Sequence, residues 1–536
     1  MARLTANYTR PRDGEAVYDL GVARRRLGKT NEAEDAFQRA AWDPAWQGAS
    51  FYELAQAAAA AGEYERALIF AGRSLDADGP TPRAFDLCAA LLRRLGRLDE
   101  ADEVAGRALA RDPLDAWARR EKYMIQLNRV GRQSKEIKEP WDRFAALAPD
   151  RSPNVLEVAL DYSDCGLWQE TRSVAWTWLP GFLEAQKMGD PLAAYLAAYA
   201  DDRAGSRRHV GSLLSLAARM PTVRVFPYAL EFIDILEWAM RENPADARAP
   251  YYLGNLLFDL QPERAIEAWE KARERDPSLA VLHRNLGLAY ARVKNDLPAA
   301  LGSLEKALAL DPKDARLYFE LDQLAEAADI DSKIRLARLE KNHEVVAAND
   351  NAMAREVGLL VRVGRAARAL EILKKHHFHI WEGGGEIHGL WVEANLAEGR
   401  RRLEKSDHRR ALEAFNEALS YPGNLDVGPP SSGPGSPKIY VHLGQAQAAL
   451  GNATEAKSCF KKALAFGTGL SEQAYYGGLA LQALGREAEA VSAFAGLVQK
   501  ARDALAAAPA MDFFEKFGER QSARTRQANL HFLVGL

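Results

Sequence analysis

Residues 14–47 read GEAVYDLGVARRRLGKTNEAEDAFQRAAWDPAWQ, residues 48–81 read GASFYELAQAAAAAGEYERALIFAGRSLDADGPT, and residues 82–115 read PRAFDLCAALLRRLGRLDEADEVAGRALARDPLD. Set under one another, they keep Gly28, Gly62 and Gly96 in one column and Ala33, Ala67 and Ala101 in another, an interval of 34 residues. Gly21, Ala55 and Ala89 run alongside, as do Phe37, Ala71 and Ala105, and Ala40, Ser74 and Ala108; Pro113 closes the third stretch. The interval returns near the other end with Gly444 and Gly478, Gly451 and Gly485, Ala456 and Ala490, and Phe460 and Phe494. Each unit reads as two helices joined at LGK, AGE, LGR or LGN, where glycine supplies the left-handed residue that a helix end favours. Small residues at Gly21, Ala33 and Ala40 let the helices approach, while Leu20 and Phe37 fill the space between them. Apolar residues recur at helical spacing on both helices, so a unit cannot bury its apolar face alone and must stack.

The balance of the chain fits a folded array. Of 536 residues, 48% are hydrophobic and 27% charged, far from the composition of a disordered chain. Lys plus Arg is 71 and Asp plus Glu is 74, a net charge of -3, which gives no bulk attraction to DNA or RNA. No apolar stretch near the start resembles a secretion signal, and no window approaches the roughly 18 apolar residues of a membrane span. Cys88, Cys165 and Cys459 are scattered without CxxC spacing, so neither a disulfide framework nor a thiolate metal site is expected and a cytoplasmic location is.

On these residues the chain resembles a tetratricopeptide repeat protein. The pattern of a small residue in the first helix, alanine, a large apolar residue and alanine in the second, and a closing proline is met at 14–47, 48–81 and 82–115. It recurs at 247–279 through Leu253, Gly254, Ala265, Trp269, Ala272 and Pro277, with the turn one residue short. The next unit, Leu286, Gly287, Tyr290, Ala300, Leu304, Ala307 and Pro312, has one residue extra; Ala411, Phe415 and Ala418 and two units over 437–504 follow. The resemblance implies an all-α, right-handed solenoid of stacked helix-turn-helix repeats. The expected layout is regular repeats over 1–115, divergent Trp-rich repeats over 116–243, central repeats over 244–330 and degenerate repeats over 331–421. A Pro/Gly/Ser-rich loop over 422–437 and C-terminal repeats over 438–536, the last incomplete, complete it. Trp117, Trp141, Trp168, Trp176, Trp178 and Trp238 read as core filling, with a stacking surface as the other reading.

Two stretches break the array. Residues 374–391, KKHHFHIWEGGGEIHGLW, carry His376, His377, His379, Trp381, Glu382 and His388 around three glycines. Their chemistry suits a structural loop or inter-domain contact, a ligand contact, or a metal; no zinc spacing is present, and three histidines within four positions cannot face one point on a helix. Residues 422–437, PGNLDVGPPSSGPGSP, hold five Pro, four Gly and three Ser and read as a surface linker with little to bury. HHFHIWEGG and AAWDPAWQ are also similar to the helical rear half of bacterial proteins whose front half is an uncharacterised β-rich domain, related in turn to sugar-processing enzymes. That similarity implies that Trp42, Trp46, His376, His377, His379, Trp381 and Glu382 face another domain; the present chain departs from the group in lacking that front half. Its last stretch, QANLHFLVGL, reads as a first helix without a partner, exposing Leu533, Val534 and Leu536.

The family also implies a groove lined by first-helix residues: Tyr18, Arg25, Arg26, Tyr52, Gln56, Arg93 and Arg94, with Arg83 and Asp86 alongside. Val22 and Glu53 stand where chaperone-binding members need Asn, so that function is not expected. The arginines suit an acidic partner segment through bidentate pairing, or form a solvated helix face. The expectation is a protein-interaction scaffold with a protein or peptide partner, no catalytic residue, no cofactor and no metal. The alternative is an accessory half of a carbohydrate-processing enzyme, lending the His/Trp/Glu loop to another domain's active site. A nucleic-acid reader is disfavoured by charge.

Overall fold

A computed structural model describes residues 13–77, 79, 81–147, 153–179, 190–379, 386–430, 435–466, 469–506 and 523–536. Among the described residues every regular element is a helix and no strand occurs. The chain divides into two compact units, Met1–Leu282 and His283–Leu536.

The first unit opens with three helix pairs: α1 (Glu15–Arg26) on α2 (Thr30–Ala40), α3 (Pro44–Ala60) on α4 (Tyr64–Leu75), and α5 (Arg83–Arg94) on α6 (Leu98–Arg111). The first pair shows why. Gly28 adopts φ +71° and donates to the Arg25 carbonyl, and Lys29 N donates to the Arg24 carbonyl, which ends α1 and starts the return. Opposite, a Cβ on Gly21 would lie 2.6 Å from the Phe37 ring, so the glycine column is the slot for the aromatic column. Phe37 is buried; its truncation to alanine would cost about 3–5 kcal/mol. Asp43 caps α3 through Ala45 N, with Pro44 in the first turn.

Packing then becomes less regular through α7 (Ala116–Val130), α8 (Lys138–Ala145), α9 (Pro153–Asp164), α10 (Trp168–Trp178), α11 (Pro191–Arg203), α12 (Val210–Ala217) and α13 (Glu231–Glu242). Trp117 meets Tyr162 edge-on at 5.3 Å, and Trp117 and Trp238 are buried, as core filling requires. A strap, 221–230, links α12 to α13. The regular pair α14 (Arg248–Leu257) and α15 (Pro262–Arg275) seats Trp269 against Gly254.

Helix α16 (Ala280–Ala289) runs into the second unit and continues as a π turn, Tyr290–Lys294, ending at Asn295 with φ +52°. The turn absorbs the extra residue of that repeat. Next come α17 (Leu297–Leu310), α18 (Ala315–Ala327), α19 (Ser332–Lys341), the short α20 (His343–Val346), α21 (Asp350–Arg362) and α22 (Ala366–Lys375). Regular pairing resumes in α23 (Glu386–Glu404) with α24 (His408–Glu417), α25 (Pro437–Ala449) with α26 (Ala453–Ala463), and α27 (Glu472–Ala483) with α28 (Glu487–Ala506).

Two expectations change here. The final helix, α29 (Ala523–Gly535), folds back on α28, so Leu533 is 7% exposed against Ala501 rather than open; Leu536 stays exposed. The start of the Pro/Gly stretch is not a passive linker either: Leu425 is fully buried with Phe378, Ile387 and Trp391. Asn424 Nδ2 donates to the Leu373 and His376 carbonyls, capping the end of α22. A polar side chain that satisfies helix-end carbonyls can anchor a loop whose composition alone offers little to bury.

Candidate functional site

The groove side chains read from the sequence lie on α1, α3 and α5, and the first unit covers that side with its own α9–α10 hairpin. The hairpin turn is Asp164, Cys165, Gly166 and Leu167. Gly166, at φ +65°, lies so close to α3 that a Cβ there would stand 2.7 Å from the Ala60 Cα. Arg25 Nη2 donates to the Asp164 carbonyl at 2.8 Å, and its Nη1 donates to Gln56 Oε1 at 2.7 Å and to Glu53. Tyr18 donates to Glu53, and Arg26 pairs with Glu231 at the start of α13. Tyr52 is buried, and its hydroxyl has no partner among the described residues. Arg83 pairs with Asp161.

Arg93 is the most buried of these arginines, 5% exposed. Its guanidinium grips Glu121 through Nε at 2.6 Å and Nη2 at 3.1 Å and reaches Glu170 at 3.2 Å; Arg94 completes the set on Glu170 at 2.7 Å. Tyr162 donates to Glu121. The fork of Arg93 therefore meets carboxylates of this chain, on α7 and α10. Burial pushes the Asp161 carboxyl up to about 7, which Arg83 only partly offsets. Burial, followed by Glu231, pushes Asp164 up to about 6 against Arg25 and Arg26. Asp161 and Asp164 thus face Arg83, Arg25 and Arg26 at the cost of their own hydration.

The strap 221–230 touches this hairpin, where Tyr228 hydrogen-bonds Glu157 of α9. Within the strap Val225 is buried, while Val223 is 60% and Phe226 75% exposed, with Tyr228 and Leu230 also open to solvent. Arg224 adopts φ +60° between the first two.

The histidine-rich break belongs to the second unit. Trp381 and Glu382 lie outside the described residues. His376 Nε2 and Asp350 Oδ1 are 2.7 Å apart, and the His379 backbone N–H donates to Asp350 Oδ2 at 3.0 Å. Burial pushes the Asp350 carboxyl up, but the hydrogen bonds from His376 and His379 outweigh it and hold it below the ordinary value. A cavity of about 370 Å³ is lined by Asn349, Asp350, His376, His377 and His379. His377 reaches Asp426 and Phe378 N donates to the Asn424 carbonyl, so the two breaks in the repeat pattern meet. His388 sits elsewhere, accepted by the Ser420 carbonyl and stacked on Tyr421 at 3.8 Å. Among the described residues no cluster of three His, Cys, Asp or Glu side chains fits a metal ion.

Sequence reasoning missed the carboxylates Glu121, Asp161, Glu170 and Glu231, and Asp350 beneath the histidines. The signal for the docking of the hairpin was slight: Asp161 and Asp164 three apart, immediately before a Gly turn.

The tetratricopeptide repeat family model matches residues 1–50, 259–315 and 396–471. Among solved structures, the chain is similar to YrrB, a tetratricopeptide repeat protein with an unusual peptide-binding site, at 24% identity over 34% of this chain and 90% of that one, with a TM-score of 0.27. It is similar to yeast Tom70 at 14% identity over 83% and 96% of the two chains, with a TM-score of 0.22. A third, Naa15/Naa10 bound to HypK-THB, matches at 14% identity over 98% and 90%, with a TM-score of 0.26.

Proposed function

We propose that this chain, which the tetratricopeptide repeat family model matches in three segments, is a scaffold that receives a partner polypeptide at the first-helix side of its stacked pairs. The reading rests on the strap 221–230. Large apolar side chains held open to water cost hydration free energy, and a cluster of them on a loop marks a protein contact. Because α9 and α10 fill the groove beneath, the partner lands on Val223, Phe226, Tyr228 and Leu230 at its rim rather than on Arg93. Arg25, Arg26, Tyr18, Tyr52 and Gln56 then serve the contact indirectly, by seating the hairpin under the strap. With Arg93 and Arg94 matched inside the chain, apolar contact and not acidity selects the partner.

A photo-crosslinking residue at position 226, with a second at exposed Ile69 on α4 as control, tests this in extract of the source cells. The expected result is one polypeptide joined at 226 and absent at 69, lost in competition with the unlabelled chain but not with Phe226→Glu. Equal labelling at both positions, or none at 226, would reject the reading.

A further inference from the structure

A second feature of the first unit concerns a different chemistry. Arg120, on α7, is 2% exposed, yet among the described residues no carboxylate pairs with it. Its Nη2 donates to Ser173 Oγ at 2.7 Å, and its Nη1 is buried without an acceptor. The adjacent Glu121 is already held by Arg93 and Tyr162. The guanidinium lies over Tyr123 at 5.0 Å and Phe144 at 5.4 Å, which stabilises a cation but leaves its hydrogen-bonding capacity unfilled. Arg93, one helix away, is buried with two carboxylates. The contrast is chemical: burial lowers the Arg120 pKa, whereas the carboxylates around Arg93 raise that of its guanidinium.

A buried cation whose nearest carboxylate, Glu121, is already gripped by another arginine is a cost that a structural role does not explain. Arg120 also lines a cavity of about 480 Å³ between α7, α8 and α10, with Tyr123, Trp141 and Ser173 in its walls. That volume is the size of a small-molecule site. Arg132 and Lys138 also line it, Lys138 already being paired with Asp142. Ser173 accepts from Arg120 and keeps its own proton to donate to a bound oxygen. The rings of Tyr123 and Trp141, 5.2 Å apart and inclined at 60°, give the cavity apolar faces.

We propose that this cavity binds a small monocarboxylate carrying a flat apolar group, its carboxylate on Arg120 and Ser173 and its ring against Tyr123 and Trp141. A single negative charge matches the single uncompensated buried cation, and the planar fork suits a carboxylate. The site requires nothing of the strap or its partner.

Calorimetric titration of the full chain with indole-3-acetate, indole-3-acetamide and inorganic phosphate tests it. Indole-3-acetate binds saturably, the amide binds about tenfold more weakly or worse, and phosphate does not displace the acid. Arg120→Met abolishes binding while leaving the melting temperature unchanged or raised, because it removes an uncompensated charge from the interior. Should that variant fail to fold, Arg132→Glu at the exposed mouth decides: it weakens the acid several-fold and spares the amide. Equal affinity for acid and amide, displacement by phosphate, undiminished binding by Arg120→Met, or no binding of indole-3-acetate would each overturn the proposal. Tighter binding of a short peptide ending in tryptophan would overturn the small-molecule assignment in favour of a polypeptide terminus.

Discussion

The first-helix sides of α1, α3 and α5 and of α23, α25 and α27 come from equivalent positions of the repeat, but they balance their charges differently. In the first unit Arg26, Arg83, Arg93 and Arg94 find carboxylates on α7, α9, α10 and α13, outside the three regular pairs, while Arg25 pairs with Glu53 of α3 and adds the Asp164 carbonyl. In the second, Lys438 of α25 is held by Glu393 of α23 at 2.6 Å and Glu472 of α27 at 3.3 Å, both on adjoining first helices. Beside it His442 stacks on Phe415 at 5.2 Å, and burial lowers its pKa to about 4. The repeat therefore fixes where a side chain points but not what it meets. Chain that departs from the repeat supplies the counter-charges of four of these five arginines, whereas Lys438 takes its own from neighbouring repeats.

Arg93→Met tests the contrast most severely. It strands Glu121 in the interior and leaves Glu170 to Arg94 alone, and should cost about 3–5 kcal/mol, read by urea denaturation followed by near-ultraviolet circular dichroism. A loss below about 1 kcal/mol would mean that the carboxylates find water or new partners. Gly166→Ala comes next, at about 2 kcal/mol, because it combines a left-handed backbone with a Cβ pressed on the Ala60 backbone. The same change at Gly28, where a Cβ would meet nothing, should cost only the backbone share, about 1 kcal/mol.

A smaller effect comes from pH. The docked Asp161 and Asp164 bind protons at about 7 and about 6, against an ordinary value of 3.8, so folding takes up protons between those limits. Their contribution is complete below the ordinary value and is lost as pH rises through about 6 to 7. The first unit should therefore melt higher at mildly acidic than at mildly alkaline pH, and Asp161→Asn should flatten that slope; an unchanged slope would place the proton uptake elsewhere. Smallest is Lys438→Met, expected to cost under about 1 kcal/mol, since Glu393 and Glu472 remain partly solvated and lose little when released.

The helix pairs were legible because the glycine and aromatic columns are a local code: Gly21 with Phe37, Gly444 with Phe460 and Gly478 with Phe494 each pack as slot and filler. Trp117 and Trp238 were legible as core for a similar reason, since bulk in a helical repeat is buried. The hairpin on the groove was not, because Arg25 meets the Asp164 carbonyl across 139 residues and nothing near either residue records the other. The meeting of the two breaks was hidden too. It depends on Asn424, an unremarkable residue in a Pro/Gly run, whose amide happens to reach the last carbonyls of α22. Arg120 looked like any helical arginine, and only its missing carboxylate sets it apart.

The ion pair between Arg26 and Glu231 closes a loop of chain 205 residues apart in sequence. A simple stack of repeats frays from its ends, one pair at a time, because each layer touches only its neighbours. Here the first layer is also tied to α9 and α13 through Arg25 and Arg26, so peeling it away breaks contacts beyond its neighbours in the stack. Drawn out in an optical trap, the first unit should resist and then yield in one long extension instead of a staircase, and its refolding should be slowed by the search for so distant a contact.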